Sequence, residues 1–115
     1  MPKFVTIGYG DEDGYQRTPA DVRNAAHTYD AEQVKQGVIM GMAGTPTQVR
    51  NPEAKGVEVT SGPFMTSPLP VAGFSIIEAA NLDEAILIAS RAPCAVAHGV
   101  VEVWPLKTAE PGQGG

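Results

Sequence analysis

The sequence predicts a single α+β domain in the order strand, helix, strand, strand, helix, strand. Three observations predict it. Five stretches carry the alternation or apolar bias of strands, one more than that order needs, two carry helix start and stop signals, and 115 residues suit one domain. Residues 4–9 set Val5, Ile7 and Tyr9 against Thr6 and Gly8, the two-residue period of a half-buried strand. Gly10-Asp11-Glu12-Asp13-Gly14 follows as a turn. A first helix then starts where Thr18 can accept at the N-cap, Pro19 fits the first helical position and Asp21 places negative charge in the first turn. It runs to about residue 36 and stops at Gly37, a glycine suited to the left-handed position after a helix.

Residues 38–43 fit a second strand, 45–52 a polar hairpin connection and 56–60 a third strand with Val57 and Val59 on one face. Ser61-Gly62-Pro63-Phe64 reads as a turn, with an extra short strand allowed near Phe64, and Pro68 and Pro70 make the next stretch an irregular loop. Residues 72–78 form the fourth strand. Asn81 caps the second helix, with Glu84 three residues on in a capping-box arrangement. Leu82, Ala85, Ile86 and Ala89 make its apolar stripe, Pro93 ends it, and residues 100–104 are the last strand. The domain therefore spans residues 1–107, and the Gly-rich residues 108–115 are expected to be a disordered tail. This order is that of the ferredoxin-like split βαβ fold, with two helices on one face of an antiparallel sheet.

Counting faces exposes a problem in that arrangement. Val101 and Val103 point one way while Val100, Glu102 and Trp104 point the other, and Phe74 and Ile76 oppose Ser75 and Ile77. Both sheet faces thus carry large apolar groups, yet two helices cover only one. An open apolar face of several hundred Å² is uncommon on a soluble monomer. A homodimer packed sheet on sheet is the expected remedy.

Composition removes several classes of function. The net charge is −5, with eight Lys and Arg in all, so the basic field that attracts nucleic acid or an anionic membrane is missing. No apolar run approaches the 18 or so residues of a membrane span. Cys94 is the single cysteine and no basic, then apolar leader opens the chain. A cytoplasmic protein is expected.

The run Thr60-Ser61-Gly62-Pro63-Phe64 resembles the DGPF motif of the YCII-related proteins, with Ser61 where that family usually has Asp. Gly73-Phe74-Ser75-Ile76-Ile77-Glu78, Leu82-Asp83-Glu84-Ala85, Pro93 and Val101-Glu102-Val103-Trp104-Pro105 follow the family pattern in order, and Tyr9-Gly10-Asp11-Glu12 is similar to its opening strand and turn. The resemblance covers most of residues 3–106. It implies a dimeric α/β barrel and little about chemistry. Relatives usually follow the motif with an acidic residue and a Lys-Glu pair, whereas this chain has Met65-Thr66-Ser67-Pro68-Leu69-Pro70.

For chemistry, the best constellation is Arg23, His27 and Asp30, which spacings of four and three place on one helical stripe. A His beside a carboxylate can have its tautomer fixed and act as a general base. The resemblance adds that YCII proteins carry a His on this helix paired with an Asp, about one position from His27. The plainer alternative is a solvated charge trio worth under about 1 kcal/mol per pair. His98, before the last strand, is either a ligand group at a pocket mouth or an exposed turn residue. Trp104, with Phe74 and Tyr9, is either a pocket wall between sheet and helices or interface packing. Asp11, Glu12 and Asp13 read as a solvated turn, and Cys94 as a buried, inert thiol. No metal-ligand spacing or dinucleotide fingerprint occurs, so neither metal nor cofactor is expected. Two readings follow. One is a small-ligand-binding or cofactor-independent enzyme domain, with His27 and Asp30 catalytic and Arg23, His98 and Trp104 binding. The other is a non-catalytic dimeric interaction or regulatory module.

Overall fold

The structure, a computed structural model, describes residues 1–107, so the expected tail at 108–115 lies outside the described residues. The elements are β1 (Lys3–Tyr9), α1 (Glu12–Arg17), α2 (Ala20–Lys35), β2 (Ile39–Met42), β3 (Thr47–Arg50), β4 (Glu58–Ser61), β5 (Val71–Glu78), α3 (Leu82–Ala89), α4 (Pro93–Val96) and β6 (Val100–Leu106). β2, β5, β1 and β6 lie side by side in that order, every pair antiparallel. That is the ferredoxin-like arrangement, with the first and third core strands in the centre and the second and fourth at the edges. Pro105 has no backbone donor to offer a ladder, and it sits in β6, an edge strand.

Strand alternation decides which side chains face the helices. Phe4, Thr6 and Gly8 stand opposite Ile77, Ser75 and Gly73 on β5, and opposite Pro105, Val103 and Val101 on β6. Phe4 and Ile77 pack with Ala79 and Ala85, and Val38, Ile88 and Val103 complete that core. Burial of Phe4 and Ile77 contributes about 1.5–3 kcal/mol each. Thr6 and Ser75 are cross-strand partners whose hydroxyls hydrogen-bond each other, so neither is left unpaired under the helices. Gly8 suits the close approach of α4 to β1: a Cβ there would lie 2.9 Å from the Cys94 sulfur, which would have to shift.

The second helix begins as its sequence suggests. The Asn81 side chain accepts from the Glu84 backbone N–H at 2.9 Å, and the Glu84 carboxylate accepts from Ala80 N–H. Its buried stripe is narrower than expected. Ala85 and Ala89 are buried, whereas Leu82 and Ile86 are about half exposed. Small residues at the contact let the helix lie close to the sheet, which pushes the larger side chains to its outer side. Gly37 takes φ +97° after α2, the left-handed turn its position suggested.

Five expectations change. Residues 12–17 form a helix rather than a turn: Asp11 caps it by accepting from Gly14 N–H at 2.8 Å, and Gln16 and Arg17 reach back to Glu12 and Asp13. The acidic cluster is therefore a cap and first turn, where negative charge meets the positive helix end. Thr18 does not cap α2; its buried hydroxyl donates to the Gly14 carbonyl at the end of α1, and α2 starts after Pro19 without a side-chain cap. Pro93 opens α4 instead of closing the preceding helix. The connection at 45–52 contains β3, which pairs only with β4, so the third expected strand belongs to a separate two-stranded hairpin. No strand forms at Phe64. Two added helices, α1 and α4, thus join the two that were expected.

Candidate functional site

Val5, Ile7 and Tyr9 alternate onto the sheet face turned away from the helices. Beside them stand Trp104, Glu102 and Val100 of β6, and Phe74 and Ile76 of β5 with Ile39 beyond. Phe74 is 48% exposed, Trp104 53% and Ile39 69%, values that describe an uncovered apolar surface. Polar pairs close its two ends. Lys3 and Glu78, cross-strand partners, meet at 3.3 Å at one end. At the other, the Tyr9 hydroxyl donates to the Glu102 carboxylate at 2.6 Å.

That second end is covered by the chain itself. The segment from Met65 to Leu69 folds over Tyr9, held by the Gly10 N–H bonding to the Pro70 carbonyl at 3.1 Å and by the Ser67 hydroxyl bonding to the Leu69 carbonyl. Tyr9 is therefore buried although it stands on the open face. A recess of about 460 Å³ remains between Tyr9, Val100, Glu102 and the covering segment. The hydrogen bond to Glu102, then burial, then the Glu102 charge push the Tyr9 hydroxyl above its usual pKa, so it stays protonated and acts as a donor. A larger, open hollow of about 1130 Å³ lies between the β3–β4 hairpin, the 62–70 loop and Phe74.

The helical constellation lies on the opposite side of the sheet. His27 is exposed, and its Nε2 is 3.0 Å from the Tyr15 hydroxyl. The Arg23 guanidinium sits 4.7 Å from the centre of the same Tyr15 ring. Arg23 and His27 are thus brought together through Tyr15, on α1. Asp30 turns inward: burial holds its carboxyl above the usual carboxylate range, partly offset by the charge of His27. Burial and Asp30 also raise the Cys94 thiol, consistent with an unreactive sulfur. Among the described residues no hydrogen bond joins His27 to Asp30, so their coupling is through charge.

The remaining expected residues stand apart from that trio. His98 is an exposed turn residue at φ +62° after α4. Trp104, with Phe74 and Tyr9, faces away from the helices, because Trp104 pairs opposite Val5 and shares its side of the sheet. A pocket wall between sheet and helices is not where these three residues lie. Sequence reasoning missed Tyr15 because it read α1 as a turn. It also missed the Tyr9–Glu102 pair, although it had placed Glu102 and Trp104 on one face.

Among the described residues, no group of three or more His, Cys, Asp and Glu is placed to hold a metal ion, and no helix is long and apolar enough to cross a membrane. A family model described as the YCII-related domain matches residues 3–110. A search of curated proteins finds no match to the chain.

Proposed function

The chain belongs to the YCII-related family, and from that premise we propose that it works as a homodimeric small-ligand-binding domain. In this reading the open sheet face is the dimer interface and the ligand occupies the recess beside Tyr9 and Glu102. One observation carries it: a part-buried phenol–carboxylate pair borders a recess at the end of an apolar face that is otherwise uncovered. An apolar centre bounded by polar pairs is the anatomy of a protein interface. Two-fold packing of this face on itself would cover Phe74, Ile76 and Trp104 and wall in the recess. About 800 Å² per partner makes a stable interface of ordinary size.

Sedimentation at micromolar concentration tests the dimer. Wild type is expected to run as a dimer and Phe74→Glu as a folded monomer, because a charge buried against an apolar partner surface costs several kcal/mol. A monomeric wild type would end the proposal.

His27, with Asp30 behind it and Arg23 beside it, supports a different reading only if a substrate docks on the outer surface of α1 and α2. Exposure of His27 favours the non-catalytic version, in which the domain binds and signals but does not react. Substituting His27→Ala is then expected to leave ligand affinity unchanged.

A further inference from the structure

We infer that the recess beside Tyr9 takes a small molecule with an apolar body and a cationic, amine-type head. The inference rests on the proposed binding role of that recess and adds the chemistry of its ligand. Among the described residues its lining supplies one formal charge, the Glu102 carboxylate, and no basic side chain. Met65, Pro68, Leu69 and Val100 supply apolar wall, which suits a flat or aliphatic body.

The facing phenol and carboxylate are already committed to each other in a way that selects the head group. Tyr9 donates its one proton to Glu102 at 2.6 Å, so it has none to give a ligand carboxylate. That bond uses one carboxylate oxygen, Oε1. A carboxylate has roughly four lone-pair sites, and a cationic donor fits those that remain. An anionic head would instead meet a half-buried negative charge without a compensating cation. A partner subunit packed over the recess would lower the local dielectric and sharpen this discrimination. The overall charge of −5 also favours the approach of a cation over an anion.

Three indole probes of matched body separate the possibilities: tryptamine, tryptophol and indoleacetate, titrated by calorimetry into wild type and into Glu102→Gln. Gln keeps the shape and can still accept from Tyr9, and a melting curve for each protein checks that the fold is intact. Tryptamine is expected to bind at least about ten-fold more tightly than indoleacetate, with tryptophol between them. In Glu102→Gln the amine and alcohol affinities should converge. Binding without amine preference, or a preference that survives Glu102→Gln, overturns the ligand class and leaves the recess as a binding site. Failure of all three probes at millimolar concentration removes the binding role of the recess, and this inference with it.

Discussion

The two faces of the sheet use the same kinds of residue to opposite ends. On the covered face, Phe4 and Ile77 are almost wholly buried, and the residues around them are small: Gly8, Ala79, Ala85 and Ala89. On the open face, Phe74, Ile76 and Trp104 are at least one-third exposed, with larger side chains and no helix to meet them. Small residues let the helices approach and make the covered face a tight intramolecular core. Large exposed ones form a surface that gains only by meeting another molecule. Hydropathy alone does not separate the two roles, but residue size and register do.

The sharpest way to break this comparison is to cut back one phenylalanine on each face. Phe4→Ala should lower stability by about 3–5 kcal/mol, as large-to-small changes in a packed core do. Phe74→Ala, compared with wild type at a concentration that keeps both monomeric, should change stability by under about 0.5 kcal/mol. Urea unfolding followed by circular dichroism measures both, and equal losses would erase the distinction between the faces. A smaller effect concerns how the helices are held on the covered side. Asn81→Ala removes the cap of α3 and should cost about 1 kcal/mol by the same assay.

The smallest effects are set by pH and fall in different windows on the two sides. Asp30, beneath α2, has its folded pKa raised above 3.8, mainly by burial. Its favourable contribution is present below that pH and lost as pH rises through the folded pKa. Asp30→Asn should therefore melt higher than wild type at neutral pH and equal it in acid. Tyr9, on the open face, has its pKa raised above 10.0, mainly by Glu102. The advantage of wild type over Tyr9→Phe should thus hold through neutral pH and fade only in strong alkali. Melting curves across pH read both, and overlapping windows would contradict the separate environments.

Strand and helix periodicity made the core of the fold legible, because Val5, Ile7 and Tyr9, or Ala85 and Ala89, repeat at a spacing that only one local structure satisfies. Helix α1 was hidden by Gly14, which looked like punctuation. The signals for it were an Asp cap and pairs four residues apart, Glu12 with Gln16 and Asp13 with Arg17. Hairpin β3–β4 was half legible: Val57 and Val59 mark a strand, but periodicity does not name its partner. The same limit applies to the candidate site. Arg23 and His27 share a stripe that spacing reveals, whereas Tyr15 joins them from another helix. Tyr9 meets Glu102 across 93 positions of chain, and only the register of β1 against β6 brings them together.

The β3–β4 hairpin leaves the main sheet after Met42 and the chain returns to it at Val71, two neighbouring points joined by the bond from Ala43 N–H to the Ala72 carbonyl. Among the described residues its strands pair only with each other, and no core residue belongs to it. The hairpin at residues 47–61 is therefore an exchangeable cassette, whose length and sequence can drift, or be replaced by a grafted peptide, while the 65–69 segment stays over Tyr9 and the four-stranded scaffold keeps its register.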